Sequence, residues 1–169
     1  NAIISGGLVF DNSRKDLIVE TIFGPQTRQN TNIKFEREPL PGERHRTRAF
    51  IKVQEGCNDH CTFCLTRLAR GRSRSVPIDA IKQDILSALN GGSKEIVLTG
   101  VQLGSYGKDL EPMSNLVTLI QESLSMAPTM RVRLSSLEPW DVSDELIGLW
   151  RNPQMCRHLH IPIQSGSDH

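Results

Sequence analysis

Beyond about residue 46 the chain alternates between two hydrophobic rhythms. "RAFIKVQEG" sets apolar against polar residues in turn and is rich in β-formers, which predicts a strand. "PIDAIKQDILSALNGG" carries Ile78, Ile81, Ile85 and Leu89 at helical spacing, with Pro77 near the first turn and Gly91-Gly92 as a stop. "KEIVLTGV" is a short apolar run of the buried parallel kind. "MSNLVTLIQESLSMA" returns to helical spacing and is followed by Pro128. "MRVRLSSLEP" predicts a third strand, "DVSDELIGLWRN" a third helix capped by Asp141 or Ser143, and "HLHIPIQSG" a fourth strand.

Strand–helix alternation with short connections is the pattern of an α/β fold with a parallel sheet. About four βα units are present, too few for a closed barrel, so a partial (βα) barrel is expected. The chain begins at Asn1 and ends at "GSDH" directly after a strand-like run, so it is expected to be a piece of a longer protein. Residues 1 to 46 read differently: "AIISGGLVF" and "DLIVETIFG" are candidate strands. "GPQTRQNTN" and "EPLPGERHR" have the Pro, Gly and charge content of a connector. In such folds chemistry gathers where strands end at their carboxyl termini. Those ends carry "GCNDHCTFC", "TGVQLGSYG", "SSLEP" and "QSGSD", so the polar, glycine-rich and cysteine-rich loops share one rim.

Composition narrows the class only slightly. With 169 residues, 37% hydrophobic and 23% charged, the chain has room for one domain with a sizeable core. No apolar run approaches a membrane span and no basic-then-apolar leader opens the sequence, so a cytoplasmic protein without a membrane partner is expected. Net charge is +1, but Arg28 to Arg74 holds 11 Lys and Arg against 5 Asp and Glu, leaving the remainder acidic. A segregated basic segment is a candidate phosphate-facing surface, and a solvated connector is the plainer reading.

Chemistry enters with "GCNDHCTFC". Cys57, Cys61 and Cys64 are spaced C-x3-C-x2-C, while Cys156 stands apart and reads as a core residue. Clustered thiolates suit zinc or iron–sulfur centres. A closed zinc site needs a fourth ligand nearby. His60 is the local candidate, but its adjacency to Cys61 makes simultaneous binding awkward. A ferredoxin-type cluster needs four cysteines. Three thiolates on an iron–sulfur cube instead leave one iron without a protein ligand, and an open position marks a metal that binds something and reacts.

"CNDHCTFC", with Phe63 at its aromatic position, resembles the signature of radical S-adenosylmethionine (SAM) enzymes. "RAFIKVQEGCNDHCTFC", "ARGRSRS", "VLTGVQLGSYGKDL", "RLSSLEPWDV" and "HLHIPIQSGSD" together resemble the methylthiotransferases of that group. The likeness is greatest to those acting on N6-threonylcarbamoyladenosine in tRNA, and it covers roughly Thr47 to His169. Isopentenyladenosine-specific relatives typically carry a Gln-Asn pair within the stretch aligned with Gly100-Val101-Gln102-Leu103. "LTRLARG" also departs from relatives, which usually place a proline before the Arg-Gly.

The resemblance implies a partial radical SAM barrel over 47–169. It implies a four-iron–four-sulfur cluster on Cys57, Cys61 and Cys64, and SAM on the open iron. It further implies a reducing electron donor, a tRNA substrate, a second such cluster in an N-terminal domain joined through residues 1–46, and a C-terminal RNA-binding domain. Thr99 and Gly100 become candidates for the SAM amino group, with a plain tight turn as the alternative. Ser135, Ser136, Glu138, Gln164 and Ser165 become candidates for its ribose or carboxylate, with helix capping as the alternative for the serines. Arg67, Arg70, Arg72 and Arg74 are candidates for the SAM carboxylate or tRNA phosphates, and solvated charge is the plain reading. Tyr106 is a candidate for base stacking or for packing on the rim. The nearest alternatives are methylthiotransferases acting on isopentenyladenosine in tRNA or on a ribosomal protein, and a non-enzymatic metal module is the rival class. A truncated piece with an open sheet edge is expected to self-associate.

Overall fold

A computed structural model describes residues 3–4, 7–8, 10, 14, 17–24, 47–62 and 64–167. At the N-terminal end, β1 (Ile3–Ile4) pairs antiparallel with β2 (Gly7–Leu8), followed by α1 (Ile18–Phe23). The second candidate strand, "DLIVETIFG", is therefore a helix where it is described. Its apolar residues fall in pairs four apart, a helical spacing that outweighs their β-propensity, and Gly24 at positive φ ends it by donating to Glu20 O. The two connector-like stretches, 24–32 and 38–46, lie almost wholly outside the described residues.

From Thr47 onward the predicted order is realised. β3 (Arg48–Lys52) runs to a short β4 (Gln54–Glu55). Helix α2 (Thr66–Arg70), β5 (Arg74–Ser75) and helix α3 (Ile78–Asn90) follow, then β6 (Glu95–Thr99), α4 (Leu116–Met126), β7 (Arg131–Leu134) and α5 (Asp144–Gly148). The main sheet has the order β3-β6-β7 and is parallel throughout. Register sets Lys52 opposite Thr99 and Leu98 opposite Leu134, so the strands end at one level.

Helices α3 and α4 cover one face of this sheet. Ile81, Ile85 and Ala88 of α3 and Leu119, Ile120 and Leu124 of α4 meet Ala49, Ile51, Ile96, Leu98, Val132 and Leu134 in the core. The central strand β6 is buried along its first four residues, which is why it reads as a continuous apolar run. Asn115 caps α4 by accepting from Thr118 N, and Ser143, not Asp141, caps α5 by accepting from Leu146 N. The third helix is shorter than its pattern: α5 gives way at Leu149 to a 3-10 turn ending at Arg151.

The fourth strand is not formed as such. Two isolated parallel bridges, Val132 to Met155 and Ser136 to His160, run beside β7. Pro162 lacks the N–H a ladder needs, and the segment after Ile161 has no further strand beside it among the described residues. The bridges still bring 155–160 alongside β7, and Cys156 is buried at 1% exposure, as expected of a core cysteine.

On the sheet face opposite the helices, Glu95 lies between two arginines. Arg133 Nε donates to Glu95 Oε1 at 2.6 Å, and Arg48 Nε approaches the same oxygen at 3.0 Å. The Arg133 hydrogen bond holds the carboxyl of Glu95 below its ordinary range, against the opposing effect of burial. A depressed folded-state pKa contributes stability above the ordinary carboxylate range, and that contribution is lost as pH falls through the lowered value. Replacing Glu95 by Gln is expected to cost about 2 kcal/mol at neutral pH, the scale of hydrogen bonds to charged groups. In a urea-denaturation series the difference between parent and variant should shrink as the solution is acidified below the carboxylate range.

Candidate metal centre

The cysteine loop hangs from a narrow neck at the carboxyl end of β3. β4 pairs antiparallel with β5, Glu55 facing Arg74 and Gln54 facing Ser75, so residues 56–73 leave and return at one point. The neck is tight because Gly56 sits at φ +72°, where a Cβ would overlap the backbone carbonyls of Gly71 and Arg72. Cys57 N donates to Gly71 O at 3.2 Å, and Val76 N donates to Val53 O at 2.8 Å below it. Only glycine meets both demands at position 56. Gly56→Ala should therefore destabilise the loop by at least about 2 kcal/mol, from left-handed backbone and overlap together. The expected readout is faster limited proteolysis within 57–73 while the unfolding of the α3–α4 core changes little.

All four cysteines are free thiols; Cys57 is half-buried, and Cys61 and Cys64 are exposed. Burial pushes the Cys57 thiol up, the Asp59 amide opposes this, and the charges of Asp59, Cys61 and Cys64 add to the rise. Cys64 shifts the other way: the Thr66 hydroxyl, 3.1 Å from its sulfur, and then the Thr66 amide hold it below its ordinary range. Among the described residues no group of three or more His, Cys, Asp or Glu converges on one ion. A cubane does not require such convergence, because each thiolate binds a different iron at its own corner. Three unpaired soft donors on one loop, two of them open to the rim, fit such a cluster. His60 takes a hydrogen bond from Arg67 Nη1 on its ring. Phe63 lies outside the described residues.

Beside this loop an open cleft of about 300 Å³ is lined by Lys52, Gln54, Glu55, Thr66, Arg70, Thr99, Gly100 and Val101. Two expected cofactor residues, Thr99 and Gly100, thus form its wall at the end of β6. Ser135 stands next to them, its Oγ accepting from Gly100 N at 3.4 Å. The remaining candidates are engaged elsewhere: Ser136 bonds His160 Nδ1, Gln164 Nε2 donates to Glu138 Oε2, and Ser165 Oγ accepts from Ser167 N. Neither Ser135 nor Ser136 caps a helix; Glu138 and Ser143 hold those positions.

The four arginines also separate. Arg67 contacts His60, Arg70 lines the cleft, Arg74 lies 4.0 Å from Glu55, and Arg72 is exposed with its backbone against Gly56. Tyr106 is fully buried and donates to Val76 O at 3.1 Å; burial, with Asp109 adding, pushes its hydroxyl up to about 12. It packs under the rim and has no face for a base.

Three polar residues have a place at the site that the sequence pattern does not assign to them. Gln54 and Gln102 bind the cysteine loop, and Asp141 presses its carboxyl against Gly104, with Oδ2 buried and lacking a hydrogen-bond partner. Burial pushes Asp141 up, the Lys108 charge opposes this, and Asp59 adds to the rise. Glutamine in a strand pattern gives no signal of its own. Asp141 reads as a helix cap until the 3-10 turn is seen.

A parallel βα sheet with three free thiols on the loop after its first strand defines a class of enzyme core, and comparison agrees. The Radical SAM superfamily profile matches residues 51–169, and the chain belongs to that superfamily. Membership implies a four-iron–four-sulfur cluster and SAM as cofactors.

Within it the chain is similar to a threonylcarbamoyladenosine tRNA methylthiotransferase of Thermotoga maritima, 49% identical over 73% of this chain and 28% of the relative. A Bacillus subtilis protein of the same name is 40% identical over 79% and 30%. A tRNA-2-methylthio-N(6)-dimethylallyladenosine synthase of Clostridium tetani is 36% identical over 77% and 29%. The chain thus spans less than a third of the length of these relatives. Among solved structures, the radical SAM methyltransferase TsrM of Kitasatospora setae, with cobalamin and [4Fe-4S] bound, aligns at TM-score 0.54 and 17% identity. That alignment covers 72% of this chain and 22% of TsrM, and supports the fold alone. No helix among the described residues is long and apolar enough to cross a membrane.

Proposed function

We propose that the protein of which this chain forms part is a cytoplasmic radical SAM methylthiotransferase that acts on tRNA. Its substrate is N6-threonylcarbamoyladenosine beside the anticodon, and the product carries a methylthio group at C2. The observation carrying this reading is three free thiols on the loop after β3, beside a cleft at the strand ends. The chain is also 49% identical to a relative named for that reaction.

In this reading Cys57, Cys61 and Cys64 hold the cluster by three corners. When bound, the cluster would supply the electron for SAM cleavage, and the carbon radical so released would take the hydrogen of a C–H bond too inert for base catalysis. The protein's own residues orient and enclose. Thr99 and Gly100 offer the end of β6 to the amino group of SAM, and Ser135, within reach of Gly100 N, steadies that edge. Arg70 is the arginine assigned to the carboxylate, because of the four it is the one in the cleft wall. Arg72 and Arg74, both exposed, are assigned to tRNA phosphates. The Glu138–Gln164 and Ser136–His160 pairs border the same rim and are kept as contacts for the far end of the cofactor.

Anaerobic reconstitution of the full-length protein tests the metal assignment. A brown, SAM-perturbed chromophore is expected, and replacing any one of the three cysteines by Ala should remove it. A colourless zinc-loaded protein would leave a non-enzymatic metal module. Product analysis with two tRNA pools tests the substrate. Methylthio product on the threonylcarbamoyl form is expected. Product only on the dimethylallyl form would support the second reading, which the Clostridium tetani relative's name favours. Arg72→Ala and Arg74→Ala should each weaken tRNA binding uniformly across sequences and flatten its salt dependence. The isolated piece is expected to self-associate through β3, an edge strand among the described residues, with Phe50 66% exposed on its open face.

A further inference from the structure

Between the cysteine loop and the end of β6 runs a chain of side-chain amides that strand pairing does not explain. Gln54 is 1% exposed, yet its polar atoms are all engaged. The two hydrogens of its Nε2 are shared among three acceptors, Gly56 O at 2.7 Å, Ser73 Oγ at 2.9 Å and Glu55 O at 3.0 Å. Its Oε1 accepts from Gln102 N at 2.9 Å. One buried amide therefore fastens both sides of the loop's neck and the backbone of Gln102.

Held there, the Gln102 side chain reaches over the loop. Its Oε1 lies 3.5 Å from the Cys57 sulfur, which donates to it, and its Nε2 donates to Asp59 Oδ2. Asp59 N donates to the same sulfur at 3.3 Å. Cys57 thus sits between one partner that gives a hydrogen and one that accepts. A sulfur bound to iron has no hydrogen left to give, so it and Oε1 would face each other as two acceptors. Half a turn about the terminal torsion of Gln102 removes that conflict, and such torsions are broad and nearly two-fold. The turn sets Nε2–H on the sulfur and brings Oε1 to face Asp59 Oδ2, so the Asp59 carboxylate, which is exposed, swings away into water. The backbone of residue 102 stays fixed by Gln54.

We propose that Gln102, held by Gln54, is a positioning residue of the cluster site that turns to donate Nε2–H to the ligating sulfur of Cys57 and so raises the cluster's reduction potential. This rests on the reading of Cys57 as a cluster ligand. A hydrogen bond to a ligand sulfur offsets the extra negative charge of the reduced cluster, which is the lever by which such bonds tune potential.

The test uses the full-length protein reconstituted with iron and sulfide, titrated anaerobically with a chemical reductant supplying one electron per cluster. The midpoint is read from the EPR signal that changes when SAM is added, which separates this cluster from any other. Gln102→Met and Gln102→Glu preserve shape but lack the N–H. Both are expected to keep their iron. Gln102→Met should lower the midpoint by about 60 mV, a tenfold change in a one-electron equilibrium, and Gln102→Glu at least as far. A Gln102→Met protein with parental iron and parental midpoint overturns the proposal. Loss of iron from both variants also overturns it, as does loss from Gln102→Met with Gln102→Glu at the parental midpoint, because the residue would then only prop the loop. A parent protein that forms no SAM-responsive cluster refutes the ligand assignment itself, and this inference with it.

Discussion

The parallel register of β3, β6 and β7 is the constraint on which the rest depends. With Lys52 opposite Thr99 and Leu98 opposite Leu134, three strands deliver their following loops to a single rim. The α3–α4 layer enforces that register, since a slip of one residue would turn Ile51, Ile96, Leu98 and Val132 away from the helices. The position of the cysteines over the end of β6 is a consequence of core packing.

A second constraint is local. Eighteen residues, 56–73, leave and return through a neck closed by β4–β5 pairing, by Gly56 against the backbone of Arg72, and by the buried amide of Gln54. The neck fixes where the loop starts, while the loop itself stays open: Cys61 and Cys64 are exposed. That division suits an inorganic ligand, because the scaffold is settled before loading and the donors remain accessible. The opposite shifts of Cys57 and Cys64 follow the same division, one thiol pushed up by burial and the other held down by Thr66.

Comparison reaches as far as the core itself. The superfamily match begins at residue 51, within β3, and the chain spans less than a third of the length of the similar methylthiotransferases. Cluster and SAM belong to that shared portion. Relatives with two different modified adenosines in their names are both similar to this chain, at 49% and 36% identity.

The sequence by itself determined the order of β3, α3, β6, α4 and β7, because their apolar periodicities are strong and their stops are Gly or Pro. It also determined the three thiols, since C-x3-C-x2-C is a local spacing that needs no partner from afar. Where signals were weak or long-range, tertiary structure decided. The fourth strand shrank to two bridges beside β7. Tyr106 is packed against the rim and buried rather than open to a base. The division of Arg67, Arg70, Arg72 and Arg74 among a histidine, the cleft, the neck and an acidic partner has no trace in a run of like charges. Gln54 and Gln102 are the clearest case. They lie 48 positions apart, their meeting exists only because β3 and β6 are neighbours, and amide hydrogen bonds leave no periodicity to read.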